Sequence, residues 1–526
     1  MDTKALRQKI LDLVIRGKLV PQDPNDEPAE VLLERIRVQK QQMLKEGKLK
    51  KKDIKNDTII FKGEDNLHYE KFQDGTVKCI EDEIPFEVPE GWAWARVRDI
   101  AMVKGGKRLP KGASFSEEIT THAYIRVTDM KNHSVNISNL RYISDEIFSA
   151  IKNYTIAKDD LYVTIAGTIG VAGEIPDKLD GMNLTENAVK ITNIAINKSF
   201  LCIILQTDFV QQQFQDKTHQ VAMPKLALER ILSTLIPICP SVQQLQIVDR
   251  FQICDNFLST IDTEKEELQK IVSLSKSKIL DLAIRGKLVL QDPNDEPASV
   301  LLGRIRAEKE ELIKQGKIKR DKKESVIFKG DDNSYYLRTG GVEESLENWR
   351  FDDLPETWEI CCLGELCDYG DCINVNTEDI AEDAWILDLE DIEKDTGTVL
   401  KKVTKDQRNS VSTKHKFHFG QVLYSKLRPY LNKVVLSDAD GYCTSEILPL
   451  EFKNCVLPEY ARYYLMSGTF IAYANHCSYG VKMPRLGTTD GKKAIFSLPP
   501  LSEQKRIVET IDFCFVQLNK ISEALA

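Results

Sequence analysis

"KILDLVIRGKLVPQDPNDEPAEVLLERIR" runs from Lys9 to Arg37, and "KILDLAIRGKLVLQDPNDEPASVLLGRIR" runs from Lys278 to Arg306. The passages stand 269 residues apart and differ at four of their 29 positions: Val14/Ala283, Pro21/Leu290, Glu30/Ser299 and Glu34/Gly303. That interval is far longer than the roughly 20–50 residues of a solenoid unit, so it marks a duplicated half-protein. The match then loosens but continues. "VQKQQMLKEGKLKKK" answers "AEKEELIKQGKIKRD", and "IIFKGEDNLHY" answers "VIFKGDDNSYY". "IPFEVPEGWAWARVRDI" and "WRFDDLPETWEICCLGEL" both bring Pro, Glu and Trp in the same order before an apolar stretch. Past Trp92 and Trp358 the copies diverge, and they converge again at "MPKLALERILSTLIPICPSVQQLQIVDRF" and "MPRLGTTDGKKAIFSLPPLSEQKRIVETI". Each half therefore has a shared frame around a private interior of roughly 140 residues, one domain's worth. The frame recurs because it does one job twice; the interiors differ because each does its own.

The frame reads as helix. From Ser241 to Lys287 no Pro or Gly occurs before Gly286, and Leu245, Val248, Phe251, Phe257, Ile261, Leu268, Ile271, Ile279 and Leu282 recur at spacings of three, four and seven. Pro240 and Ser241 offer a start and Gly286 a C-terminal cap. Roughly 45 residues of helix would span about 65 Å. The closing "SEQKRIVETIDFCFVQLNKISEALA" matches only the first part of this helix, and the counterpart of its second part, "KALRQKILDLVIRGK", stands at the N-terminus. The repeat is thus circular: the last and first segments together supply the second long helix. Antiparallel pairing of the two would hang the private domains at opposite ends about a pseudo-twofold axis. The interiors read as mixed α/β, with strand-like "DDLYVTIAGTIGVAGEI" and "GQVLYSKLRPYLNKVVL" each followed by a segment of helical spacing.

The totals fit a soluble multidomain protein. The chain has 526 residues, 42% hydrophobic and 29% charged. No stretch approaches the ~18 unbroken apolar residues of a membrane span, and the N-terminus lacks the apolar block of a signal peptide, so a cytoplasmic location is expected. The 12 cysteines are then reduced thiols. The cluster Cys361, Cys362, Cys367 and Cys372 lacks paired C-x-x-C spacing and a nearby His, so it reads as small buried hydrophobes. The net charge of −9 argues mildly against a protein that grips DNA alone, but leaves room for local basic loops and for partners that supply further charge.

Catalytic signatures are scarce. There is no phosphate-binding G-x-x-x-x-G-K-[ST] and no G-x-G-x-x-G after a strand. His415 and His418 lie three apart without flanking ligands. The acidic run of Asp388, Glu390, Asp391 and Asp395 could in principle hold Mg²⁺ for a nuclease, but the other interior has no acidic counterpart, and a solvated strand-turn region is the expected reading. What stands out is a set of basic, hydroxyl and aromatic residues at Gly-rich or Pro-rich turns. In the first interior these are Lys104, Lys107, Arg108, Lys111, Arg126, Thr168, Gln220 and Lys225; in the second, Lys426, Arg428, Tyr430, Lys482 and Arg485. Arg and Lys pair with guanine edges and phosphates, Gln with adenine, and Thr and Tyr hold phosphates, which makes these candidates for DNA contact.

Together, the circular duplication, "LPPLSEQKRIVETI", "ILDLAIRGKLV", and "LYSKLRPYLNKVVL" followed by "GYCTSEILPL" resemble the specificity subunit of type I restriction–modification enzymes over essentially the whole chain. The first copy departs at "CPSVQQLQIV" but keeps Gln244 and Ile247. The resemblance implies a non-catalytic, DNA-binding chain. Its fold would be α+β: two mixed α/β target-recognition domains separated by a long antiparallel two-helix coiled coil, in a circular pseudo-twofold repeat. The expected boundaries are 1–60 for the N-terminal helix segment, 61–235 for the first recognition domain and 236–330 for the central long helix and its extension. The second recognition domain covers 331–497 and the C-terminal helix segment 498–526. Each recognition domain would read half of a split, non-palindromic DNA site, with the helices setting the gap. The partners implied are double-stranded DNA, two methyltransferase subunits that bring S-adenosylmethionine and flip the target adenine, and motor-nuclease restriction subunits that bring ATP and Mg²⁺. No cofactor belongs to this chain, no metal site is expected in it, and no membrane is involved. The alternatives are a metal-dependent nuclease working through Asp388 or Glu390, and a scaffold that never touches DNA.

Overall fold

The computed structural model describes residues 2–215, 225–318, 325–332, 334–346, 354–408 and 412–525. It divides into two units, residues 1–264 and 265–526. The frame supplies α1 (Thr3–Ile15), α2 (Ser241–Ile284) and α3 (Leu501–Leu525). Helix α2 runs 44 residues without a break, as the absence of Pro and Gly predicts.

In the first unit α1 lies antiparallel to the start of α2. Thr3 Oγ1 donates to Asp262 at 2.6 Å, Arg7 Nε to Asp255 at 2.6 Å, and Leu11, Val14 and Ile15 share a core with Ile247, Val248 and Phe251. In the second unit the end of α2 meets α3 in the same sense. Lys276 Nζ donates to Asn519 at 2.6 Å, and Leu280, Ala283 and Ile284 share a core with Ile507 and Ile511. Not all of the expected stripe on α2 faces inward: Leu245, Phe257, Leu268 and Ile271 are exposed, while Ile247, Leu258 and Val272 are buried instead. Spacings of three, four and seven recur on neighbouring faces of one helix, so periodicity alone did not select the buried one.

The near-identical passages fold into one kind of joint. Gly17 follows α1 with φ +63°, and Gly286 follows α2 with φ +65°. A Cβ on Gly17 would lie 2.5 Å from Pro89 Cγ and 2.9 Å from Trp92 Cζ2; one on Gly286 would run into Pro355 in the same way. Trp92 Nε1 donates to Gln243 at 2.8 Å and to Gln22 at 3.0 Å, and Gln243 Nε2 donates to Gln22 at 2.8 Å. In the second unit Trp358 Nε1 donates to Glu503 at 2.9 Å, and Gln291 Nε2 donates to the same carboxylate at 2.6 Å. Gln243 therefore stands where the second copy has Glu503: both are buried acceptors for the Trp N–H. Burial raises the pKa of the Glu503 carboxyl, and the Trp358 and Gln291 donors pull it back. The next residue anchors the helix to the interior. Gln244 accepts from Asn197 N and donates to Cys239 O; Gln504 accepts from Leu457 N and donates to Cys455 O.

Each interior begins and ends on one antiparallel strand pair: Ala93–Arg96 with Leu235–Ile238, and Glu359–Cys362 with Ile495–Leu498. Between them lie two larger sheets whose strands follow one plan in both units; the first unit adds a two-stranded ribbon, Met130–Lys131 with Ser134–Val135. In the first unit one sheet runs Thr155–Ile156, Met182–Leu184, Ala123–Ile125, Arg141–Tyr142, with the middle pair parallel. In the second unit Lys414–Phe417, Gly441–Thr444, Trp385–Leu387, Val403–Thr404 repeat that order, again with a parallel middle pair, and Ile373–Val375 is added at the edge. The other sheet is Ala172–Glu174, Leu161–Thr164, Ala188–Thr192, Met102–Gly105 in the first unit and Val434–Leu436, Val422–Ser425, Ile447–Leu450 in the second. Helices Lys198–Leu205 and Asp208–Gln215 answer Pro458–Leu465 and Gly468–His476. Cys361, Cys362 and Cys367 are buried in the second unit's cores. Among the described residues, no helix is long and apolar enough to cross a membrane.

The joint makes a measurable demand. Gly17→Ala or Gly286→Ala adds a left-handed penalty of about 1–2 kcal/mol and an overpacking cost of about 1–3 kcal/mol against the facing proline. Gly47→Ala, at φ +74° with no atom within 4 Å of its Cβ, carries only the first. Denaturant unfolding of the three variants should place Gly47→Ala nearest to wild type; equal losses would contradict the joint as described.

Candidate nucleic-acid interface

In the first unit the basic turn after Met102–Gly105 is pressed against the turn between Met182–Leu184 and Ala188–Thr192. Gly106 N donates to Ala188 O at 3.1 Å and Lys107 N to Leu184 O at 2.9 Å. A Cβ at Gly106 would overlap the carbonyl oxygens of Thr185 and Leu184, so only glycine permits this approach. Tyr124 OH donates to Lys107 O at 2.7 Å, and the Lys107 ammonium stands 5.5 Å from the centroid of Tyr154. Arg108 Nε is 3.8 Å from the Glu186 carboxylate, and Lys225 Nζ donates to Glu186 O at 3.3 Å. Leu226 N donates to Ile165 O at 2.9 Å, which brings Lys225 beside the turn that carries exposed Thr168. Arg108 and Lys225 thus meet at Glu186, with Lys107 next to Arg108 and Thr168 on the turn beside Lys225. Lys111 is exposed farther along the loop, and Lys104 is exposed on its strand, in register with Lys190.

Arg126 is placed differently. It is bonded to Asp129 through Nε at 3.0 Å and Nη2 at 2.6 Å, and to Asn139 O at 2.9 Å. The buried Asp129 also accepts from Arg126 N, and its carboxylate raises the Arg126 pKa further. Arg126 is thus a partly exposed cation tied to Asp129 and Asn139. Gln220 lies outside the described residues.

In the second unit two loops close on one another. The turn after Val422–Ser425 carries Lys426, Arg428 and Tyr430; the segment 479–486 carries Lys482 and Arg485. Leu486 N donates to Lys426 O at 3.0 Å and Arg428 N to Pro484 O at 2.7 Å, while Tyr479 and Arg485 exchange backbone hydrogen bonds. All five candidates are therefore neighbours. Lys482 and Tyr430 are exposed. Arg485 grips Glu446 through Nε at 3.0 Å and Nη2 at 2.6 Å, and this pairing raises its pKa. Glu446 and Glu186 were missed in the sequence. Glu446 stands in "GYCTSEILPL" and Glu186 in "NLTENAV", and nothing in their spacing says which cation they meet.

The acidic run is solvated in part, as expected, at the exposed Glu390 and Asp395, but not at Asp391. Asp391 is fully buried, accepts from Asp388 N at 2.9 Å and from Arg408 Nη2 at 2.6 Å, and Arg408 also pairs with Asp388. It caps a short turn at the end of the parallel strand Trp385–Leu387, as Asp129 does after Ala123–Ile125. His415 is buried and bonded to Ile447 O, and His418 meets Glu451. Among the described residues no group of three or more His, Cys, Asp or Glu is placed to hold a metal ion. The corner formed by each second-sheet turn and its closing segment can offer ammonium, guanidinium and hydroxyl donors to an anionic partner.

A family model described as the type I restriction modification DNA specificity domain matches residues 89–271 and again 355–524. The specificity subunit of the type I restriction enzyme EcoAI of Escherichia coli is 27% identical over 98% of this chain and 90% of its own length. That of EcoEI, also from Escherichia coli, is 25% identical over 99% of this chain and 90% of its own. A chain in a solved structure of the type I R-M system aligns at TM-score 0.47 and 14% identity, over 84% of this chain and 94% of that one. With the domain matched twice, each match beginning just before the Trp of its joint and ending in its frame helix, the chain belongs to the type I restriction–modification specificity family, as a non-catalytic specificity subunit with two target recognition domains.

Proposed function

We propose that the two interiors each read one half of a split, non-palindromic DNA site, within recognition domains spanning 61–235 and 331–497. The observation that carries this is the pairing of one topology with two unlike sets of basic residues. Both interiors present donors at the corner where the second-sheet turn meets its closing segment, but the side chains differ: Lys107, Arg108, Lys225 and Thr168 in one, Lys426, Arg428, Tyr430 and Lys482 in the other, with Arg485 held beside them by Glu446. A shared scaffold with different donors suits two different base sequences. Lys104 and Lys111 would serve as outer phosphate contacts.

In this reading α2 pairs along its length with α1 and α3 as a long antiparallel coiled coil about a pseudo-twofold axis. Support comes from the antiparallel contacts within each unit and from the matched joints. The coiled coil sets the gap between half-sites. The duplicated frame offers two equivalent surfaces to two methyltransferase subunits, which supply S-adenosylmethionine; restriction subunits would bring ATP and Mg²⁺. Partners that supply positive charge also reconcile DNA binding with a net charge of −9. The complex would work in the cytoplasm, where its DNA is.

Sequencing the methylome of cells that express the chain with its methyltransferase partner should reveal one new bipartite motif with methylated adenine in both halves. Assembly of the complex without any new motif would overturn DNA reading and favour a scaffold role.

A further inference from the structure

Strands Leu161–Thr164 and Val422–Ser425 each enter a turn that returns as Ala172–Glu174 or Val434–Leu436. In both units the third residue of the turn, and the second before the returning strand, have left-handed backbone. In the first unit these are Gly167 and Gly170, at φ +81° and +87°. In the second they are Arg428 and Asn432, at φ +50° and +48°. Asparagine visits this region with little penalty, whereas arginine is disfavoured there because its Cβ crowds the backbone. The first unit demonstrates that glycine closes this turn. Arginine at 428 therefore stands against the backbone's preference, a strain that points to a task for its side chain.

That something is not internal pairing. Among the described residues the Arg428 guanidinium makes no hydrogen bond or ion pair, and its Nε is buried without a partner. Its backbone is fixed, with N–H on Pro484 O at 2.7 Å, Leu427 bridged to Arg485, and Pro429 buried. Arg485, its neighbour, has its donors committed: Nε and Nη2 to Glu446, and Nη1 to Met483 O at 3.1 Å.

We infer that Arg428, not Arg485, is the guanidinium with which the second unit grips DNA, taking a pair of in-plane acceptors such as two phosphate oxygens or guanine O6 and N7. This rests on the DNA-reading role proposed above. A rigid turn presenting an unpaired planar fork matches either acceptor pair without reorganisation.

The test is Arg428→Gly in the full chain, assembled with its methyltransferase partner. Two probes are used: a duplex carrying the motif read from the wild-type complex's methylome, and a scrambled duplex of equal length. Glycine should leave the melting temperature unchanged or raise it, because the turn is relieved. Affinity for the motif duplex should fall about 5- to 100-fold. An equal fall on both duplexes identifies phosphate as the acceptor; a fall confined to the motif duplex identifies a base edge. Unchanged binding by the variant, while wild type discriminates the two duplexes, overturns the assignment and leaves the DNA-reading role standing. A lowered melting temperature also overturns it, because Arg428 would then be serving the fold. Failure of the wild-type complex to discriminate the duplexes would overturn the DNA-reading role itself.

Discussion

Everything in this chain is hung on the buried indole N–H of Trp92 and its counterpart in Trp358. A buried N–H must be met by an acceptor: Trp92 is met by Gln22 and Gln243, and Trp358 by Glu503, whose other oxygen accepts from Gln291. That single requirement ties the end of one frame helix, the start of the interior and the start of the other frame helix together. The left-handed glycine beside it, Gly17 or Gly286, lets the chain turn tightly enough for proline and indole to sit against it. A joint that fixes three segments at once tolerates few changes at the residues that make it, and Gly17 and Gln22 recur unchanged as Gly286 and Gln291.

Just past the joint the constraint ends. The incoming strand Ala93–Arg96 pairs with the outgoing Leu235–Ile238, and Glu359–Cys362 with Ile495–Leu498. The frame therefore meets each interior at a closed two-stranded base and at the first interior helix, where Gln244 holds Asn197 N and Gln504 holds Leu457 N. Whatever lies between can change its loops without disturbing the helices, provided the two ends remain side by side. The interiors keep their sheet order, including the parallel middle pair, yet rebuild their turns: glycines at 167 and 170 in one, a Pro-Tyr-Leu turn between Arg428 and Asn432 in the other. Turns that differ on a frame that does not are what the proposed reading of two unlike half-sites requires.

Much of this was legible in the sequence, and the limit was consistent. The repeat exposed the joint, because Trp92, Gly17 and Gln244 recur at their counterparts with little change. The long helix was visible in the missing Pro and Gly of α2. What sequence could not supply was pairing between residues far apart in the chain. Arg126 was grouped with the DNA-contacting cations, although Asp129 three residues on already holds it. Asp391 looked solvated because Arg408, its partner, lies 17 positions away. Glu186 and Glu446 carry no motif at all. Leu245 and Phe257 fitted the helical stripe and are exposed nonetheless. Backbone hand at Arg428 was likewise invisible, since nothing in an Arg-Pro dipeptide announces a left-handed residue.

The most direct test is to exchange residues 97–234, the chain between the paired base strands, for the equivalent stretch of another family member, and to read the methylated motif of the assembled complex. One frame carrying two independent readers predicts that one half of the motif changes while the other half and the gap are preserved. A change in both halves, or in the gap, would contradict it, because the frame would then not insulate one interior from the other.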